Sequence, residues 1–113
     1  TFVDASNQSL AIAKRNADTL GETSKCAFLP ADVKRLPPAK APYDILFIDP
    51  PYDSDLLPAL FEQCMKGAWM HEESLIITEQ RTSAEAVLHP LLELVDTRKY
   101  GQTTLRLYSA LAL

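Results

Sequence analysis

Four consecutive residues, Asp49-Pro50-Pro51-Tyr52, carry the chemistry legible in this 113-residue chain, and they follow directly on the apolar run Tyr43 to Ile48. Neither proline can continue a strand ladder or donate a backbone N–H, and each pre-sets φ, so the turn after Asp49 is stiff and its carbonyls stay free. A carboxylate and free carbonyls all accept hydrogen bonds. A fixed set of acceptors where a strand ends suits chemistry on an amino group. With each residue type near 5% usage, a chance match in a chain this long is expected about once in a thousand sequences. The plain structural alternative is a rigid loop in which Asp49 caps the next helix.

The elements that must position this turn read as strands alternating with helices. Thr1-Phe2-Val3 is a short strand, and Leu10, Ala13, Ala17 and Leu20 follow at helical spacing until Gly21 offers a stop. Cys26 to Leu29 predicts a second strand ending at Pro30, and the proline-rich stretch Pro37 to Pro42 leads into the strand Tyr43 to Ile48. After the turn, Ser54 or Asp55 can cap a helix whose Leu57, Leu60, Phe61 and Cys64 share a face, running out near Gly67. Leu75 to Thr78 reads as a buried strand, and Thr82 or Ser83 can open a helix through about His89, before Pro90. Leu94 to Tyr100 and Thr103 to Ser109 read as two strands joined at Gly101-Gln102, an antiparallel hairpin. The fold class is therefore α/β, a mostly parallel sheet covered on both faces with a C-terminal antiparallel hairpin. Ligands in such sheets bind at the carboxyl ends of strands, where Asp4, Asp32 and Asp49 all fall.

The motif and its strand, turn and helix context resemble the Asp/Asn/Ser-Pro-Pro-Tyr/Phe/Trp motif of amino-methyltransferases that use S-adenosylmethionine. More narrowly, Phe2-Val3-Asp4, Arg15-Asn16, Asp44 to Tyr52, Ile77-Thr78-Glu79 and Lys99-Tyr100-Gly101-Gln102-Thr103 look like the bacterial methyltransferase of guanine N2 in small-subunit ribosomal RNA, the RsmD type. This resemblance spans nearly all of the chain. It implies the Rossmann-like sheet of class I methyltransferases and S-adenosylmethionine as cofactor, with ribosomal RNA or the small ribosomal subunit as partner. It also implies roles: Asp49 and the Pro50 carbonyl accept hydrogen bonds from the target amine across the stiff Pro50-Pro51 turn, and Tyr52 stacks on the presented base. Asp49 lies against the cofactor as well. Asp4 matches the acid that holds the ribose hydroxyls of the cofactor, and Asp32 the acid that meets its adenine amino group. The Tyr100-Gly101-Gln102-Thr103 hairpin favours this family over its relatives, although Gly101 serves a tight turn with φ > 0 in any case.

One departure stands out. The glycine-rich loop that the family places after its first strand has no counterpart, since the glycines are Gly21, Gly67 and Gly101, unclustered. Residues 1–113 are thus expected to form a partial methyltransferase domain that lacks the first strand and helix. The complete protein would methylate RNA, and this chain alone would bind cofactor weakly or not at all. A sheet without that strand must close the gap between the strands ending at Asp4 and Asp49, or leave polar edges that recruit a second copy by dimerisation or strand swapping.

Composition frames the rest. At 47% hydrophobic and 23% charged the chain is an ordinary globular one, large enough for one core. No apolar stretch reads as membrane-spanning or as a secretion signal, so the expected location is cytoplasmic and no membrane is expected as partner. Cys26, Cys64, His71 and His89 show no metal-ligand spacing, so no metal site is expected and the cysteines read as buried free thiols. A net charge of −4 argues against a chain that holds nucleic acid by itself. The clusters Lys34, Arg35, Lys40 and Arg98, Lys99, Arg106 read as solvated faces before they read as RNA contacts. Two other readings remain open: an adenine-N6 methyltransferase of DNA or RNA, because both bases present an exocyclic amine to the same acceptors, and a non-catalytic α/β assembly module, which the missing glycine loop favours.

Overall fold

The computed structural model describes residues 1–50 and 56–110. Pro51, Tyr52 and the expected helix caps Ser54 and Asp55 lie outside the described residues. Two compact units divide the chain, Thr1–Pro37 and Pro38–Leu113.

In the first unit, β1 (Phe2–Asp4) pairs in parallel with β2 (Phe28–Pro30), in the register Phe2 to Phe28 and Asp4 to Pro30. The Phe2 and Phe28 rings stack at 5.4 Å between centroids. Between the strands runs α1 (Asn7–Thr19), opened by Ser6, whose side chain accepts the Ser9 N–H, and turned inward on Leu10 and Ala17. Its end is a Schellman motif: Glu22 N–H donates to Ala17 O and Gly21 N–H to Asp18 O, with Gly21 at φ +69°. The stop expected at Gly21 is therefore present.

The second unit is a four-stranded sheet in the order β3-β4-β6-β5, formed by β3 (Tyr43–Ile48), β4 (Met70–Arg81), β5 (Leu92–Tyr100) and β6 (Thr103–Ala110). β3 and β4 are parallel, and β6 is antiparallel to both β4 and β5. One face carries Ile76, Thr78, Arg106 and Tyr108 and meets α2 (Leu56–Lys66), which turns Leu57, Leu60, Phe61 and Cys64 inward. The Phe61 ring meets Tyr108 edge-on at 5.3 Å. These residues form the core.

Three expectations need correction. The described strand pairings divide evenly, two parallel and two antiparallel, so the sheet is mixed where a mostly parallel one was expected. Of the two alternatives for the gap, closure or an open edge, the strand pairing shows the open edge: among the described residues β3 pairs with β4 alone and β1 with β2 alone. The helix expected over 82–89 is absent. Its carbonyls are taken by side chains of β6: Arg106 Nη2 donates to Ala84 O at 2.9 Å and the Tyr108 hydroxyl to Val87 O at 2.9 Å. Local propensity gives way there to buried donors that need acceptors. β4 is also longer than Leu75 to Thr78. Its polar start is held in the sheet by Ser74, whose hydroxyl donates to Tyr43 O at 2.6 Å and accepts from His71 N–H at 2.9 Å.

Candidate active site

Asp49 stands at the carboxyl end of β3 because Ile48, beside it, is anchored in the core and registered against Thr78 of β4. The carboxylate is exposed and the Pro50 ring half-buried, so the acceptors of the turn face solvent at the rim while the strand beneath them is fixed. A carboxylate at the end of a core-anchored strand can accept hydrogen bonds from a donor that arrives from solvent. Pro51 and Tyr52, the rest of the expected constellation, lie outside the described residues.

Along the same rim the sheet carries a polar cluster that sequence patterning did not single out. Arg106 on β6 is only 7% exposed and donates from Nη1 to Gln80 Oε1 at 2.8 Å and from Nη2 to Ala84 O. Both partners are neutral, an uncommon environment for a buried guanidinium. Opposite it, Thr78 Oγ1 is fully buried and outside hydrogen-bonding geometry with any described group, although the Tyr108 hydroxyl is a polar neighbour. Burial raises the Tyr108 phenol above its ordinary 10.0, with the nearby Arg106 charge opposing. The signal that could have found the cluster is period-2 alternation in β6: Thr104, Arg106 and Tyr108 occupy one face, and that face is buried.

In the first unit, Asp4 closes β1 and Asp32 follows β2, so the parallel pairing brings both acids to the carboxyl end of that strand pair. Asp4 Oδ1 accepts the Ser6 N–H at 2.8 Å. Asp32 Oδ1 accepts the Lys34 N–H at 2.9 Å, capping the short helix Val33–Arg35. Each carboxylate thus keeps its second oxygen for a further donor. Acceptors of this kind fit the ribose hydroxyls and adenine amine of a nucleoside cofactor.

The histidines and cysteines lead elsewhere. His71 Nε2 bonds Asp44 at 2.8 Å and His89 Nε2 bonds Glu62 at 2.6 Å. Cys64 is buried, but Cys26 is half-buried with its thiol on Glu22 O, short of the full burial expected for it. Among the described residues, no group of three or more His, Cys, Asp or Glu side chains is placed to hold a metal ion. Among the same residues, no helix is long and apolar enough to cross a membrane.

The profile of the family described as conserved hypothetical protein 95 matches residues 1–109. The chain belongs to that family. A curated relative, an uncharacterized methylase of Rickettsia prowazekii (strain Madrid E), is 30% identical over 63 residues, 56% of this chain and 27% of the relative. The chain thus spans about a quarter of that protein. Among solved structures, this member of the family is similar to a putative methylase from Haemophilus influenzae, with TM-score 0.76 and 22% identity over 97% of this chain and 71% of that one. It is similar also to a putative methyltransferase from Escherichia coli, with TM-score 0.79 and 21% identity over 98% and 62% of the two chains. At these identities the likeness establishes the fold alone, an α/β architecture shared with those two proteins.

Proposed function

We propose that the protein transfers a methyl group from S-adenosylmethionine to the exocyclic N2 amine of a guanine in small-subunit ribosomal RNA. One observation supports the reading: Asp49 and Pro50 stand at the carboxyl end of a core-anchored strand, in a chain whose fold is similar to that of a putative methylase and a putative methyltransferase.

The chemistry follows from what these residues can do. An exocyclic amine is conjugated into its ring and is a poor nucleophile, so its reactivity depends on how its lone pair is aimed. Asp49 and the Pro50 carbonyl each take one N–H of that amine, which fixes the nitrogen and turns its lone pair outward. Tyr52 presents a ring on which the base stacks once it has left its helix. Asp4 would hold the ribose hydroxyls of S-adenosylmethionine and Asp32 its adenine amine, and the cofactor supplies an electrophilic methyl on a sulfonium. Asp49 accepts an N–H of the amine and would take the proton that the nitrogen sheds once it is methylated.

The reading is tested with the full-length protein, S-adenosylmethionine labelled in its methyl group, and small ribosomal subunits from a strain deleted for the gene. Nuclease digestion should place the label in N2-methylguanosine. Label in N6-methyladenosine would transfer the same site to adenine, and no label in RNA would remove the RNA reading altogether.

A further inference from the structure

Glu79 has no task in the mechanism above, and its surroundings set it apart. Three acids among the described residues are half-buried: Asp4, Glu79 and Asp96. Asp4 accepts the Ser6 N–H, and Asp96 accepts the Thr97 N–H and a hydrogen bond from Arg98. The Glu79 carboxylate meets no donor among the described residues. A carboxylate partly withdrawn from water and given no partner carries an uncompensated cost of burial.

The register says what kind of donor Glu79 can meet. Ile48 and Thr78 form the last rung of the β3–β4 pairing, one strand spacing of about 4.8 Å apart. Asp49 follows Ile48 and Glu79 follows Thr78, so the two acids stand side by side at the first step beyond that rung. Thr78 faces α2, and alternation turns Glu79 to the opposite side, with its β6 partner Leu105. Leu105 has no polar group to offer, and the next residue across is Arg98 of β5. β5 bulges between Leu94, which pairs with Tyr108, and Asp96, which pairs with Leu107. Val95 is the extra residue, and beyond it the sides of the strand exchange, which brings Arg98 to the face of Glu79. Arg98 is still two strands away, and its Nε is held by Asp96 at 2.9 Å. Glu79 thus keeps both oxygens for a donor that arrives from solvent beside Asp49.

We propose that Glu79 selects guanine, by accepting the N1–H of the base whose N2 amine is held at Asp49. The inference rests on the guanine reading given above and adds to it the residue that sets the choice of base. The Asp49 turn cannot make that choice alone, because adenine and guanine both present an exocyclic amine to it. The neighbouring ring nitrogen separates them: guanine N1 carries a hydrogen, whereas adenine N1 is an acceptor. Two adjacent donors on the Watson–Crick edge of guanine therefore meet two adjacent carboxylates. An adenine in the same pose turns its N1 lone pair toward Glu79, which sets acceptor against acceptor in a half-buried place. A site built around a donor of its substrate rejects the analogue that lacks it far more strongly than apolar contacts do.

The test uses the full-length protein and small ribosomal subunits reconstituted with either guanine or 2-aminopurine at the nucleotide that receives the methyl group. 2-Aminopurine keeps the 2-amine and lacks the N1 hydrogen. Single-turnover rates are measured on both, with S-adenosylmethionine binding as the control for folding. The wild type should methylate guanine about 100-fold faster than 2-aminopurine, or more. Glu79→Ala should lower the guanine rate by about the same factor and leave the 2-aminopurine rate unchanged, so that the two substrates converge. Glu79→Gln keeps the shape of the side chain and a neutral acceptor, and should recover part of the guanine rate. If Glu79→Ala slows both substrates equally, or the wild type treats the two bases alike, the assignment to Glu79 is wrong and the guanine reading stands. If the wild type places no methyl group on guanine N2 in RNA, the guanine reading has failed and the assignment falls with it.

Discussion

His89 Nε2 lies 2.6 Å from Glu62 Oε1, which ties the long connection after β4 to the middle of α2. The other ring nitrogen, Nδ1, accepts the Leu91 N–H at 3.1 Å, so the neutral ring carries its proton on Nε2 and donates it to Glu62. His71 repeats the device, with Nδ1 on Glu73 N–H and Nε2 on Asp44. Both nitrogens of both rings are engaged, which makes them struts.

His89→Ala is expected to destabilise the fold by about 1–3 kcal/mol, because the ring is only 11% exposed and its loss leaves the Leu91 N–H without its partner. Urea unfolding measures this, and an unchanged midpoint would remove the strut role.

Asp49→Ala should lower methyl transfer by about 100-fold or more while S-adenosylmethionine binding persists through Asp4 and Asp32. Single-turnover rates and calorimetric titration on the full-length protein separate the two. An assembly-only module would lose neither.

Arg106→Met keeps the stem of the side chain but leaves Gln80 Oε1 and Ala84 O without their donor, at a cost of about 2–4 kcal/mol. The connection 82–91 should become the first site of cleavage in limited proteolysis, before any change in the hairpin.

Burial pushes the Cys64 thiol up to about 11 from 9.0. A raised folded-state pKa means that burying the neutral thiol stabilises the protein fully below pH 9.0, and this contribution is lost as pH rises toward about 11. The loss is on the order of 2 kcal/mol. Cys64→Ala should flatten the stability profile between those limits, and a thiol reagent at pH 8 should label Cys26 well ahead of Cys64.

The end of α2 offers a paired test. Trp69 N–H donates to Cys64 O and Ala68 N–H to Met65 O, so the left-handed residue of this Schellman motif is Ala68, at φ +55°, while the adjacent Gly67 is kept small by the Trp69 ring. A Cβ on Gly67 would stand 2.8 Å from Trp69 Cδ1 and 3.1 Å from Gln63 O. Ala68→Gly should therefore stabilise by about 0.5–1 kcal/mol and Gly67→Ala should destabilise by at least as much, as read by thermal unfolding.

Residues whose local chemistry and tertiary role agree were the ones that could be read from sequence. Gly21 ends α1, Leu57 to Cys64 make the buried face of α2, and Asp49 follows a strand that ends at Ile48, each as its neighbours dictate. Misreadings occurred where long-range pairing overrode local preference. Thr82 to His89 has helical composition, yet its carbonyls are claimed by Arg106 and Tyr108 from another part of the chain, and nothing within the segment records that. The sheet order depends on which edges meet, and short strands such as Phe2–Asp4 carry too few residues to specify a partner. In the candidate site, the acids Asp4, Asp32 and Asp49 were visible as strand-end residues, whereas Thr78, Gln80 and Arg106 became a cluster only through the β4–β6 register.

Val95 works as a phase shifter. Without that one residue, β5 would keep its length to within a rung and its hairpin partner, but Lys99 would take the side now held by Arg98 and Tyr100, and those two would turn toward α2. The chemical character of the tip is thus encoded by a count, and a homologue shortened by one residue before Asp96 would present an inverted surface even with every hairpin side chain retained.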